Sequence, residues 1–368
     1  MDARLSYDMD KQFNGPGNSY IFAGITSSNS LAQGALPSAG IEPERDYKTN
    51  VGLELSLLGS LSVEVDFFRN MRHNIRTSAA GTVSSVLGVG VPDVFTGKVR
   101  NYGGELAVGW RRRTGDFGYA VRGNIAYARN KILNKEEEYK PFDYMRITGQ
   151  PVGTFYGLVA DGMYQDGDFN ADGSLREGLP VSSYQNTVRP GDVKYRDLND
   201  DKIIDDNDMC WTGNPTVPEI IYGFGFSLKY KGFDCSAFFQ GQGKVSILMY
   251  NYHPFATAAT PGSGLMQWIA DEHWSEDDPN PKALYPRLSP LWNNNNTKAS
   301  TLYVRNGKML RLKTAEIGYT YKKMRVYVSG TNLLTFAPFK YWDPEKGSGN
   351  GLGYPLQRTY NLGFQFNF

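Results

Sequence analysis

Asp197, Asn199, Asp201, Asp205 and Asp208 occupy relative positions 1, 3, 5, 9 and 12 of one short run, with the Ile203 carbonyl at position 7. Oxygen donors at that spacing let a single loop wrap a cation, and an all-oxygen set of this kind suits Ca2+ better than Mg2+. Asp200 and Asp206 add charge to the same run, and so many carboxylates repel one another unless a cation or water lies between them. Two departures weaken the pattern. Position 6 is Lys202 where glycine usually makes the sharp bend, and position 12 is Asp208, whose arm is shorter than that of glutamate. An acidic solvated loop is the other reading of these residues. Asp168, Asn170, Asp172 and Gly173 begin a similar pattern that does not continue, so a plain turn is expected there.

A second group of candidates is aromatic. The region 250–292 holds Tyr250, Tyr252, His253, Phe255, Trp268, His273, Trp274, Tyr285 and Trp292. Exposed rings stack on sugar faces or on apolar peptide side chains, which makes Tyr250, Tyr252, Trp268, Trp274 and Trp292 candidate substrate contacts. Loops packed on one another would bury the same rings. No nucleophile stands beside a base and no acid pair has a defined separation, so enzyme activity is not expected. Cys210 and Cys235 have no metal-ligand spacing, and a disulfide between them stays open.

The elements that must carry these loops are strands. The 368 residues include 24 Tyr, 20 Phe and 41 Gly beside 3 His and 2 Cys, and mean hydropathy is negative. That mixture fits β-structure whose apolar residues are dispersed by alternation. With 39 Lys+Arg against 38 Asp+Glu the net charge is +1, which removes any argument for nucleic acid. No apolar run reaches the roughly eighteen residues of a membrane helix, a statement that leaves spanning by strands open.

Alternation marks four hairpins, at residues 47–75, 101–132, 218–243 and 309–336. In the first, Val51, Leu53, Leu55 and Leu57 alternate with small or polar residues and a tight turn contains Gly59. Phe224, Phe226, Leu228 and Tyr230 repeat the pattern in the third. A last strand carries Tyr360, Leu362, Phe364, Phe366 and Phe368 on one face, an aromatic C-terminal strand of the kind outer-membrane barrels bear. Further strand candidates lie at residues 4–9 and 19–25, for about eleven to thirteen segments in all. A short helix is expected at residues 265–274. The hairpin turns are a few residues long, whereas the links at residues 133–217, 244–304 and 337–357 are long. That asymmetry is typical of outer-membrane barrels.

Several long-loop stretches resemble the SusC/RagA family of TonB-dependent outer-membrane transporters. They are GQPVGTFYGLVADGMYQD from Gly149, RPGDVKYRDLNDDKIIDDNDM from Arg189, and GNPTVPEIIYGFGFSLKYKGFDCSAFFQGQG from Gly213. HWSEDDPNPKALYPRLS from His273, YVRNGKMLRLKTAEIGYTY from Tyr303 and SGTNLLTF from Ser329 continue the series in order. The resemblance covers essentially the whole chain as one all-β unit, an antiparallel transmembrane β-barrel segment with long extracellular loops. It implies nutrient uptake across the bacterial outer membrane, with an oligosaccharide or peptide as cargo, a SusD-like lipoprotein over the loops and a calcium-like acidic loop. TonB would act only through an N-terminal part, and the terminal aromatic strand would address the barrel-assembly machinery and outer-membrane lipid. The family's barrel has 22 strands around a plug, so the expectation is the later part of such a barrel, with plug and signal sequence lacking. Residues 1–10 are charged from the second position and have no signal-peptide core. A surface glycan-binding or adhesive β-module without transport is the competing expectation.

Overall fold

The computed structural model describes residues 41–79, 81, 83, 84, 86, 88, 90–249, 266–289 and 292–368, with the backbone of four short strands before residue 41. It divides into two compact units, one of Met1–Asn50, Phe68–Tyr102 and Arg129–Val152, the other of Val51–Phe67, Gly103–Ala128 and Gly153–Phe368. Nine long strands form one sheet. They are β1 (Arg45–Leu57), β2 (Leu61–Ser78), β3 (Asp93–Thr114), β4 (Phe117–Asn134), β5 (Ile220–Tyr230), β6 (Phe233–Gly243), β7 (Met309–Tyr321), β8 (Met324–Phe336) and β9 (Thr359–Phe366). Each is hydrogen-bonded to the next in chain order, so the sheet is an up-and-down meander with β1 and β9 at its edges among the described residues.

The turns follow from local chemistry. Between β5 and β6, Lys231 and Gly232 both take positive φ, 44° and 88°, the backbone of the two-residue hairpin turn whose twist matches its flanking strands. Glycine at the second position relieves the strain there. Between β7 and β8 the turn is Lys322 and Lys323, and between β3 and β4 it is Gly115 and Asp116. All four hairpins therefore turn where alternation and turn residues placed them. Their outer ends run further than expected, with β2 reaching Ser78 and β3 starting at Asp93.

Of the about eleven to thirteen strand segments anticipated, nine long ones form the main sheet among the described residues, and shorter paired strands lie outside it. Of the early candidates, residues 4–9 lie outside the described residues, and Ser19–Phe22 pairs with Thr26–Asn29 as a separate small hairpin. The helix expected at 265–274 is one five-residue turn, α1 (Gln267–Asp271), because residues 273 and 274 leave it to pair with Tyr285. The long links are also far from structureless. They contain Phe155–Gly157 paired with Cys210–Thr212, Ala160–Met163 with Val193–Tyr195, Val181–Ser182 with Ile203–Ile204, and Ser246–Leu248 with Val304–Asn306.

Cross-strand register gives the sheet two chemically distinct faces. One row runs Tyr119, Leu228, Cys235, Ile317, Val328, Leu362 across six strands, and a neighbouring row runs Phe117, Tyr230, Phe233, Tyr319, Val326, Phe364. Offset by one residue, the row Ala120, Ser227, Ser236, Glu316, Ser329, Asn361 lies on the opposite face. The apolar rows are the open ones: Ile317 is 60% exposed, Val328 50% and Leu362 79%. A soluble sheet would turn that face inward. On the polar face, Arg325 binds the carboxylates of Asp234 and Glu316, the latter at 2.5 Å, and lies over the Tyr327 ring. In the smaller unit, Arg76 pairs with Asp93 at 2.5 Å, and Glu137 accepts from the Ile147 and Thr148 amides.

Candidate functional site

Residues 153–219, the described residues between β6 and β7, and those after β8 assemble within the larger unit into a module with its own core. Leu158, Met163, Val193, Tyr195, Ile204 and Trp274 form one cluster; Ile247, Met249, Ile269, Tyr285, Tyr303 and Phe339 form a second. At the centre is Asp192, fully buried. Its carboxylate accepts from Arg287 Nε at 2.7 Å, Asn296 Nδ2 at 2.8 Å, Asn293 Nδ2 at 3.1 Å and the Arg189 amide at 2.9 Å. The adjacent asparagines close the network. Asn295 Nδ2 donates to the Val193 carbonyl, and the Asn295 carboxamide oxygen accepts from Ser182. Tyr195 and Tyr303 donate to the main-chain carbonyls of Asn295 and Asn296 at 2.6 and 2.5 Å. Buried polar groups at this density persist only when every member is paired, which makes the hub rigid.

The module is tied to the sheet by Arg311 of β7. Its guanidinium is 1% exposed and donates to Asp343 at 2.5 Å, to Glu345 at 2.7 Å and to the Thr335 hydroxyl at 3.1 Å. Asp343 also caps the short turn Pro344–Lys346 by accepting from the Glu345 amide. Sequence reasoning missed both this latch and the Asp192 hub. The four consecutive asparagines 293–296 were the available signal, since such a run has no place in a strand and must satisfy its amides somewhere.

The acidic run 197–208 is a loop exposed at residues 200–203 and closed by its own amides. Asp197 accepts from the Asp200 and Lys202 amides at 2.7 and 2.8 Å, Asn199 from Asp201, Asp201 from Ile203, and Asp205 from Asn207. Asp208 is fully buried and accepts from Leu198 at 2.7 Å and Asp205 at 2.9 Å. Burial pushes its carboxyl up from the usual range, against the pull of those two amides. Lys202 adopts φ 67°, so the bend normally left to glycine is made here by a lysine, and Asp200 takes φ 63°. Donor chemistry suits Ca2+, and the amides leave part of each carboxylate's acceptor capacity unused. Among the described residues, however, no group of three or more His, Cys, Asp or Glu side chains is disposed to hold a metal ion. Asp206 faces away to the Tyr184 hydroxyl at 2.8 Å, and Lys298 lies 3.8 Å above the Tyr184 ring. Burial, then the bond to Asp206, pushes that hydroxyl far above its ordinary range. The sequence 168–173 is the turn it was expected to be, with the Gly173 amide donating to Asn170.

The aromatic candidates separate. Tyr250 and Tyr252 lie outside the described residues. Trp274 is 4% exposed, and its ring packs so closely on Gly191 that a Cβ there would sit 2.2 Å from it. Most of its ring is taken up by packing, and what remains borders the larger of the two clefts below. Trp268 leans on Tyr341 and Tyr285 at ring separations of 4.7 and 5.7 Å. Trp292 keeps 41% of its surface open and donates its Nε1–H to Asn294.

Two clefts open beside these rings. One of about 670 Å³ is lined by Glu272, His273, Lys282, Thr301, Arg305 and Tyr341 among others. Tyr341 donates to Glu272 at 2.9 Å, and burial followed by that bond raises its hydroxyl to about 12. Arg305 donates to the Leu284 and Val304 carbonyls, and burial lowers its guanidinium below the ordinary range. The other, about 1010 Å³, is lined by Asn170, Arg189, His273, Ser275, Glu276 and Arg287 among others. Both volumes suit a small oligomeric ligand, and both offer neutral and charged groups of either sign. Cys210 and Cys235 are free thiols.

No protein-family model matches the chain. It is 28% identical over 310 residues to TonB-dependent receptor P3 of Formosa agariphila, covering 74% of this chain and 29% of that protein. Against TonB-dependent receptor P26 of the same organism it is 27% identical over 364 residues, covering 88% of this chain and 34% of the relative. The chain therefore spans about a third of the length of these relatives. The RagAB peptide importer in its open-open state has the same fold over 98% of this chain and 38% of its own, with TM-score 0.66 at 19% identity. A second RagAB structure covers 95% of the chain at TM-score 0.65. In sequence and in fold, the chain is similar to TonB-dependent receptors of the SusC/RagA kind.

Proposed function

We propose that this chain supplies wall strands and loop module to an outer-membrane importer driven by TonB, whose cargo is an oligosaccharide or a peptide. The observation that carries the proposal is the inverted sheet: contiguous apolar rows exposed over six strands, backed by rows of serine, asparagine and paired charges. That is the arrangement of a wall between lipid and an aqueous lumen. The loop module, anchored by Asp192 and Arg311, is then the surface that cargo and a SusD-like lipoprotein meet. TonB would act through parts of the longer relatives that this chain does not span. An adhesive module displaying the same loops would have no use for an exposed apolar sheet face. Reconstituted in vesicles and treated with trypsin, the chain should lose its loops and keep its strands protected. Cleavage within β5–β8 would overturn the assignment. Titration of short peptides and of oligosaccharides against the reconstituted chain separates the two cargo classes.

The same reading assigns structural Ca2+ to the loop 197–208, through oxygens of Asp197, Asn199, Asp201, Asp205 and Asp208 and the Ile203 carbonyl. Oxygen donor chemistry and the sharp bend at Lys202 support it, and the ion would relieve repulsion among clustered carboxylates. Adding Ca2+ at a hundredfold excess over its Kd should stabilise the module by about 2.7 kcal/mol, read as a rise in melting temperature reversed by chelator. D201N should abolish the rise. An unchanged melting temperature in wild type would mean that the loop's own amides suffice.

A further inference from the structure

Resting on the membrane reading, we propose that the short-turn rim of the sheet is a cationic collar for anionic phospholipid headgroups. The open apolar rows end, at this rim, in a girdle of rings. Trp110 meets Tyr119 edge-on at 5.7 Å, Phe117 meets Tyr230 at 6.4 Å, and Phe233 packs on Tyr319 at 4.5 Å. Amphipathic rings gather at the membrane–water interface, where one edge is apolar and the other wet. Beyond the girdle the charges are mainly positive. Lys231, Lys322 and Lys323 occupy turns, where Asp116 is the acidic member, and Arg112 is exposed on the strand next to Trp110. Two of the lysines are held at the girdle by ring faces: Lys231 lies 5.4 Å above the Tyr230 ring and Lys322 5.4 Å above that of Tyr321. Cations poised one side chain beyond a lipid-facing aromatic row stand at the depth of lipid phosphate. At the long-loop end a single lysine, Lys244, lies 5.1 Å above the Tyr127 ring, whereas the short-turn rim gathers Lys231, Lys322, Lys323 and Arg112. Complementary charge and continuity with the apolar face therefore select a headgroup layer containing anionic lipid, contacted at the end that carries the short turns.

Trp110 is the tryptophan of the nine long strands, and the chain's five other tryptophans lie in the loop segments, so the emission lost in W110F is the signal that reports lipid at this rim. The full chain is reconstituted into bilayers of phosphatidylcholine with either brominated phosphatidylcholine or brominated phosphatidylglycerol as quencher. Phosphatidylglycerol should quench preferentially, by about fivefold in relative binding constant for each cation engaged, and the preference should collapse at 1 M salt, where the Debye length is about 3 Å. R112Q/K231Q should weaken the preference by about fivefold for each cation removed while retaining quenching by phosphatidylcholine, which shows that the variant is still inserted; an unchanged preference in this variant overturns the collar. Equal quenching of wild type by both lipids overturns the collar and leaves the membrane reading intact. Quenching by neither overturns both.

Discussion

Asp192→Ala is expected to cost the loop module about 3–5 kcal/mol, the range for removing one partner of a buried charged network. The carboxylate is the acceptor on which Arg287, Asn293, Asn296 and the Arg189 amide converge. Alanine leaves those donors facing each other with water excluded. Asp192→Asn retains the volume but turns one acceptor into a donor and leaves Arg287 without its counter-charge, so its loss should be nearly as large. Urea-dependent proteolysis or hydrogen exchange of the segments 160–195 and 293–303 measures the effect, and the spanning strands should keep their protection. A wild-type urea profile for these segments in D192A would mean that the apolar clusters, and not this hub, hold the module together.

Ile317→Arg separates lipid from water as the solvent of the open face. In water, a residue that is 60% exposed tolerates arginine within about 0.5 kcal/mol. Against hydrocarbon the same change costs about 2–4 kcal/mol near the bilayer midplane and falls to about 0–1 near the interface. Ile317 lies in a row between Val328 and Cys235, one step farther from the turn than Tyr319 and two steps from Tyr321. A matched substitution at the rim, Phe366→Arg, should therefore cost much less. Equilibrium unfolding of the chain from bilayers, compared between the two variants, gives the depth profile. Equal and small costs at both positions would place the face in water and remove the basis of the import proposal.

Alternation made the strands legible, because a sheet with different solvents on its two faces writes a period of two into the chain. For that reason the hairpins turning at Gly59, Gly115, Lys231 and Lys322 could be placed from residue types alone. The acidic spacing at Asp197 to Asp208 was also legible, and the structure adds that its carboxylates are engaged by main-chain amides. The aromatic loop residues were visible as types without roles. Whether a tryptophan presents its face or fills a core depends on what packs against it, and for Trp274 that partner is Gly191, more than eighty residues earlier.

By itself, the sequence determined strand periodicity, turn positions, the greasy C-terminal strand and the chemistry of the acidic run, all properties of residues within about twenty positions of one another. The tertiary structure alone decided which rows align across β4 to β9, and that Asp192 meets Asn293 and Asn296. It also decided that Arg311 closes on Asp343 and Glu345. These partners are separated along the chain by 101, 104, 32 and 34 residues. Contacts at such distances are specified by the folding of every intervening segment, so no local pattern encodes them.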